Sequence, residues 1–116
     1  FRRVLFRSKG NPWDVAKNVE AGAVASEIVP ADGRVLTHGE ISLKVNGQLR
    51  QHGDLADMIW TIPEIIADLS TYYHLKAGDL IYTGTPEGVG AVVPGDHITG
   101  RVEGVGEIAL TVGQPA

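Results

Sequence analysis

The chain has 116 residues and a formal net charge of −4, and 43% of its residues are hydrophobic, which indicates one globular domain at most rather than a disordered segment. Its acidic balance gives no positive field to attract nucleic acid, and no apolar run approaches the roughly 20 residues of a membrane-spanning helix. The absence of cysteine excludes disulfides, thiolate nucleophiles and zinc sites built on cysteine.

The opening segment FRRVLFRS carries three arginines and differs in character from the rest of the chain. It is interpreted either as a basic arm or as a non-native or unrelated leader, and we expect the domain itself to span residues 9–116. Because no apolar signal-peptide core is present here, we expect a cytoplasmic protein.

The first strand signals follow. Residues 23–29 favour an extended segment, closed by Pro30 and by the turn signal Asp32-Gly33. The segment ISLKVNGQLRQ, residues 41–51, predicts a β-hairpin, since Asn46-Gly47 supplies the two positive-φ positions of a type I′ turn. The apolar residues alternate with polar ones and predict one buried face: Ile41, Leu43 and Val45.

One helix is predicted from Thr61 onward. Thr61 and Glu64 have the spacing of a capping box, and Pro63 falls in the first turn. Apolar residues then recur at helical spacing at Ile62, Ile65, Ile66, Leu69 and Tyr73. We expect this apolar stripe to lie against a sheet.

The last third of the chain predicts more strands. The run LIYTG, residues 80–84, is typical of a strand that enters a glycine-rich loop, and Pro94-Gly95-Asp96 predicts a turn. Residues 97–112 predict two strands joined through a turn at Gly104 to Gly106, with Ile108, Leu110 and Val112 on one face. The sequence therefore predicts a mainly β, α+β fold with one or two short helices.

The most informative stretch for function is TGTPEGVG, residues 83–90. Its three glycines allow the backbone to approach a ligand closely, and its two threonines supply hydroxyl donors. The pattern matches neither a phosphate-binding loop nor a dinucleotide fingerprint, and no helix can follow before Pro94-Gly95. A ligand-binding loop and a tight β-turn with packing glycines both remain open.

Titratable residues give weaker signals. Lys17, in NPWDVAK beside Trp13, is either a site residue or a surface cation. The acidic residues are dispersed and build no oxygen-ligated metal site. The four histidines are also dispersed, so solvated side chains are the ordinary interpretation and a general base the alternative.

Five blocks, in this order, resemble the C-terminal half of fumarylacetoacetate hydrolase family proteins: NPWDVAK, LKVNGQLRQHG, DMIWTIPEIIADLS, GDLIYTGTPEGVG and VPGDHITGRVEGVGEI. The resemblance covers Lys9 to about Val112, and GDLIYTGTPEGVG is its most specific block. FRRVLFRS has no counterpart. NPWDVAK and TIPEIIADLS favour the acylpyruvate or fumarylpyruvate branch of the family.

The resemblance implies the C-terminal part of a mixed β-roll and a Mg or Mn enzyme of aromatic catabolism. Such enzymes cleave the carbon-carbon bond of a β-diketo acid, giving pyruvate and a carboxylic acid. The metal polarises the keto and enolate oxygens, and water activated by a carboxylate-histidine pair attacks the other carbonyl. The resemblance makes Lys17 a catalytic residue beside the metal, and it makes Gly84 and Thr85 substrate-binding residues. It also implies a homodimer when the protein is complete.

The departures from the family pattern matter equally. The family's Glu-x-Glu and Asp metal ligands, and its catalytic Glu and His, stand upstream of the Lys17 block and are not matched here. We therefore expect the chain as given to be inactive and to associate through uncovered apolar faces. The alternatives are an oxaloacetate decarboxylase or keto-acid isomerase on the same scaffold, and a non-catalytic β-rich binding or assembly module.

Overall fold

The structure is a computed structural model and describes residues 22–114. Its strands are β1 (Glu40–Val45), β2 (Gln48–Asp54), β3 (His97–Val102) and β4 (Gly106–Thr111), with a 3-10 turn at Leu55–Asp57 and one helix, α1 (Ile62–Tyr72). The strands form one antiparallel sheet in the order β2-β1-β3-β4. The predicted mainly β fold with one or two short helices is confirmed. Among residues 22–114, no helix is both long and apolar enough to cross a membrane.

The hairpin of β1 and β2 forms as predicted. Asn46 and Gly47 have φ values of 52° and 79°, as a type I′ turn requires. Leu43 pairs with Gln51 but Lys44 pairs with Leu49, so Arg50 is an extra, bulged residue of β2. Because paired residues share a face, the bulge places Leu49 and Gln51 on opposite faces of the sheet.

Asn46 also joins this hairpin to the third strand. Its Nδ2 donates to Asp96 Oδ1 at 2.8 Å, and its Oδ1 accepts from the His97 backbone N–H at 2.9 Å. The pKa of Asp96 is lowered by the backbone N–H of Val93 and then by the Asn46 amide. The predicted turn before β3 is therefore fixed to the predicted hairpin turn, which brings β1 beside β3.

The second hairpin, β3 with β4, is confirmed. Ile108, Leu110 and Val112 lie on one face and are half-buried, whereas their neighbours are exposed. Val45 at the end of β1, 7% exposed, is the one buried hydrophobic residue in the described part of the chain. The strands of the sheet are therefore paired in a defined register, but the described residues form little packed hydrophobic core.

Helix α1 begins where the sequence predicts. Thr61 Oγ1 accepts from the Glu64 N–H at 3.4 Å, and Glu64 Oε2 accepts from the Thr61 N–H at 2.8 Å, which is a complete capping box. No residue of α1 is buried, and Ile66 and Tyr73 of the stripe are 43% and 66% exposed. The expectation that this stripe lies against a sheet is wrong, because the described strands do not cover it.

Two predicted extended segments do not join the sheet. Residues 80–84 form no strand, and neither do residues 23–29, so the strand prediction for LIYTG is wrong. A strand needs a partner that exchanges backbone hydrogen bonds with it, and none of the described strands pairs with these segments. The turn at Asp32-Gly33 does form, with an Arg34 N–H to Ala31 carbonyl bond of 2.9 Å.

Candidate functional site

The glycine-rich loop, residues 83–90, crosses the edge strand β2 at its bulge. Gly88 has φ +102°, and a Cβ built there would overlap the Arg50 carbonyl oxygen and lie 3.1 Å from its carbon. A Cβ on Gly53 would lie 3.3 Å from Pro86 Cγ. The loop backbone therefore rests directly on β2, which only glycine permits at position 88.

Gln51 of β2 holds the same loop by its side chain. Its Nε2 donates to Thr85 Oγ1 at 2.8 Å and to the Pro86 carbonyl oxygen at 2.7 Å. The two bonds join residues 34 and 35 positions apart in the chain. Gln51 and Pro86 are half-buried and Thr85 is exposed, so the bond to the Pro86 carbonyl is partly shielded from water, whereas the bond to Thr85 is open to it.

A concave pocket of about 670 Å³ opens between this loop, the end of β2 and the start of α1. Gly84 and Thr85, the predicted substrate-binding residues, both line it. Lys17, the predicted catalytic residue, lies outside the described residues, so its role, and whether it shares a pocket with Thr85, stay predictions. The apolar part of the wall comes from Ile41, Leu55, Met58, Ile59, Trp60 and Ile65.

The charges around the pocket are acidic. Asp54, Asp57 and Glu87 line it, and none of its described lining residues is Lys or Arg. Asp54 Oδ1 accepts from the backbone N–H groups of Ala56 at 2.8 Å and Gly39 at 3.1 Å. These bonds, that of Ala56 first, lower the pKa of Asp54. Asp54 is therefore an ionised structural cap, and an anionic ligand here needs a cation from elsewhere in the protein.

The histidine of the pocket, His52, has a carboxylate neighbour. Its Nε2 lies 4.0 Å from Glu40 Oε2, with the two side chains 59% and 46% exposed. At that distance and exposure the pair is a weak, solvent-screened interaction. The residues of the described part contain no group of three or more His, Asp or Glu able to hold a metal ion. The metal implied by the family resemblance does not fit these described residues.

Sequence reasoning missed Gln51 and the apolar wall at Met58 to Trp60. The contact of Gln51 with Thr85 is a long-range one and leaves no local pattern. Trp60 immediately precedes the capping box and lies on the pocket rim, 51% exposed. The only sequence signal for this position was a large apolar side chain just before a helix.

Comparison with known proteins identifies relatives of this chain in sequence. The family model described as Fumarylacetoacetate (FAA) hydrolase C-terminal matches residues 1–113; the domain boundary at Lys9 stays a prediction. A fumarylpyruvate hydrolase of Ralstonia is 62% identical over 96% of this chain and 58% of its own length. A mitochondrial oxaloacetate tautomerase of Bos taurus is 41% identical over 94% of this chain and 50% of its own length.

A solved structure extends the similarity to the fold. The fumarylpyruvate hydrolase of Pseudomonas aeruginosa, in complex with Mn2+ and pyruvate, superposes with a TM-score of 0.88 at 37% identity, over 97% of this chain and 49% of that chain. The chain thus spans about half the length of the relatives it matches. The predicted relation to fumarylpyruvate hydrolases and to their fold is confirmed. Since the family model covers nearly the whole chain, the chain belongs to the fumarylacetoacetate hydrolase family.

Proposed function

We propose that the complete protein containing this chain hydrolyses an acylpyruvate, of which fumarylpyruvate is the first candidate. The observation that carries the proposal is the 62% identity with the Ralstonia fumarylpyruvate hydrolase over 96% of this chain. The reaction joins one water to the acyl carbon, breaks the bond between that carbon and the pyruvate methylene, and yields pyruvate and a carboxylic acid.

The role proposed for the described residues is substrate binding. Thr85 and Gly84 line a pocket whose other wall is apolar, as expected for a site that holds a small keto acid by few polar contacts. The Thr85 hydroxyl would donate to a carboxylate or keto oxygen of the pyruvoyl part. Met58 would contact the acyl part, whereas Ile59 and Trp60, 96% and 51% exposed, would help to exclude water only when further chain covers them.

The acidic lining also bears on the proposal. Three carboxylates border the pocket without a described Lys or Arg, so a keto acid anion would be repelled unless positive charge is brought in. Lys17 is proposed as one source of that charge. Mn2+ or Mg2+, held by residues outside the described part, is proposed as the other; when bound, such an ion acts as a Lewis acid toward carbonyl oxygens.

A second candidate is keto-enol tautomerisation of oxaloacetate. It is favoured by the 41% identity with the Bos taurus oxaloacetate tautomerase, and it needs the same binding of a 2-keto acid but no attacking water. Decarboxylation of oxaloacetate, the other reaction expected on this scaffold, would begin from the same bound 2-keto acid. Fold alone cannot choose among these reactions.

The test is turnover by the complete protein with Mn2+ or Mg2+. Fumarylpyruvate should be consumed with one pyruvate formed per substrate, and kcat/KM for it should exceed the value for oxaloacetate tautomerisation by at least about tenfold. Faster oxaloacetate tautomerisation would assign the second candidate. Pyruvate binding without turnover of any of these substrates would assign the non-catalytic binding module.

We further propose that the complete protein is a cytoplasmic homodimer. The exposed apolar residues of the described part include Ile28, Ile59, Leu80 and Tyr82, at 78%, 96%, 61% and 63%. Apolar surface of this extent is normally covered, either by another part of the same chain or by a second protein chain. Sedimentation of the complete protein should give a dimer, and a monodisperse monomer would contradict this.

A further inference from the structure

We infer that Gln51 is a positioning residue, which anchors the glycine-rich loop and orients the Thr85 hydroxyl as a hydrogen-bond donor toward the substrate. This inference rests on the proposed function for its substrate. Gln51 does not line the pocket, so it acts through Thr85.

The direction of the hydrogen bonds follows from Pro86. A carbonyl oxygen can only accept, so the Gln51 atom 2.7 Å from the Pro86 oxygen must be the amide nitrogen. That nitrogen has a second hydrogen, and Thr85 Oγ1 lies 2.8 Å away to receive it. Thr85 Oγ1 is therefore an acceptor from Gln51, and its own proton remains free for another acceptor.

A donor fits the proposed ligand. The carboxylate and keto oxygens of a pyruvoyl group are acceptors only. If the Thr85 hydroxyl donated its one hydrogen to a neighbouring residue, it could not donate to these oxygens. By occupying a lone pair of Oγ1, Gln51 leaves the hydroxyl as a donor to these oxygens. Bonds to a charged acceptor are also stronger than neutral ones.

The bulge at Arg50 makes this arrangement available. Without the extra residue, Leu49 and Gln51 would share a face of β2. With it, Leu49 lies with Lys44 on one face, while Gln51 shares the face of Leu43 and Ile41, and Ile41 lines the pocket. Bulges commonly re-aim side chains in this way beside functional sites. The carbonyl of the bulged residue is also the group against which Gly88 is seated.

The test compares Gln51→Met, which keeps the length of the side chain and removes its donors, with Gln51→Glu, which replaces the amide by acceptors. Gln48→Met is the matched control, because Gln48 is an exposed residue of the same strand. All variants are made in the complete protein loaded with Mn2+. The measurements are the Kd of pyruvate by calorimetry, kcat and KM for fumarylpyruvate, and hydrogen exchange of the backbone amides of residues 84, 85, 87 and 88.

Gln51→Met should weaken pyruvate binding by about 3- to 10-fold, the scale of a lost hydrogen bond. Gln51→Glu should weaken it more, because its carboxylate opposes the Pro86 oxygen and captures the Thr85 proton. The amides of residues 84, 85, 87 and 88 should exchange at least about fivefold faster in both variants. Gln48→Met should change none of these quantities.

A double-mutant cycle separates positioning from general destabilisation. In a Thr85→Val background, Gln51→Met should weaken pyruvate binding by no more than about twofold further, since the group it orients is gone. Fully additive losses would overturn the inference, as would equal effects of Gln51→Met and Gln51→Glu. If the wild type neither binds pyruvate nor hydrolyses fumarylpyruvate, the proposed function fails, whereas unchanged amide exchange in Gln51→Met would overturn the anchoring itself.

Discussion

Replacing Gly88 by alanine tests whether the loop is seated on β2 as described. The new Cβ would overlap the Arg50 carbonyl oxygen and lie 3.4 Å from Gln51 Cγ, at a φ of +102°. An L residue at positive φ costs about 1 to 2 kcal/mol, and forcing a methyl group into a backbone contact adds about 1 to 3 kcal/mol. We therefore expect a loss of about 2 to 5 kcal/mol, or a displaced loop that breaks the Gln51 bonds to Thr85 and Pro86.

The control for this variant is Gly78→Ala. Gly78 has a similar φ of +96°, but a Cβ there meets nothing within 4 Å, so only the conformational cost of about 1 to 2 kcal/mol applies. The two variants are compared by urea unfolding of the complete protein and by kcat/KM for fumarylpyruvate. Gly88→Ala should be the more destabilising and the only one to lower kcat/KM. Equal unfolding midpoints and unchanged turnover would refute the seating of the loop on Arg50.

Three further predictions concern other parts of the molecule. Asn46→Ala should destabilise the protein by about 1 to 3 kcal/mol in urea unfolding, because it removes a turn residue at positive φ and the amide that pairs with Asp96; an unchanged midpoint would contradict the joining of the two turns. Asp54 has a lowered pKa in the folded state, so its contribution to stability is present above the ordinary aspartate pKa and is lost as the pH falls through the lowered one. In Asp54→Asn the free energy of unfolding should accordingly fall less steeply as the pH drops below about 5. The same pH dependence in variant and wild type would show that Asp54 does not contribute to the acid sensitivity of the fold. If the complete protein has the proposed activity, Lys17→Met in it should lower kcat by roughly 10²-fold with little effect on metal affinity, and an unchanged kcat would make Lys17 a surface residue.

Features set by neighbouring residues could be predicted from the sequence. The hairpin turn at Asn46-Gly47 and the capping box of Thr61 and Glu64 form as expected. In each case the cause is local, because either two residues tolerate positive φ or two side chains reach the backbone of the same helical turn. The strands β3 and β4 belong to this class, since a short glycine turn joins them.

Features that depend on distant chain could not be predicted. LIYTG has the composition of a strand but no partner among residues 22–114. The α1 stripe is apolar at helical spacing, yet no residue of the helix is buried. The bond from Gln51 to Thr85 spans 34 positions, and the bulge at Arg50 that makes it available breaks the alternation from which strand faces are predicted.

The two proposed substrate-binding residues fall between these classes, because the sequence alone predicted them only in part. Gly84 and Thr85 were predicted through the family resemblance, not from the loop itself, for which a plain turn was an equal interpretation. The structure adds that both line one pocket. What they bind in this protein stays a proposal.

The central claim is that the glycine-rich loop binds the pyruvoyl part of the substrate through Thr85. The most direct measurement is a crystal structure of the complete protein with Mn2+ and pyruvate. We predict that Thr85 Oγ1 lies about 3 Å from a carboxylate or keto oxygen of pyruvate, while the Gln51 amide still contacts Thr85 Oγ1. Pyruvate bound at another face, or a Thr85 hydroxyl more than about 4 Å from every pyruvate oxygen, would contradict the account.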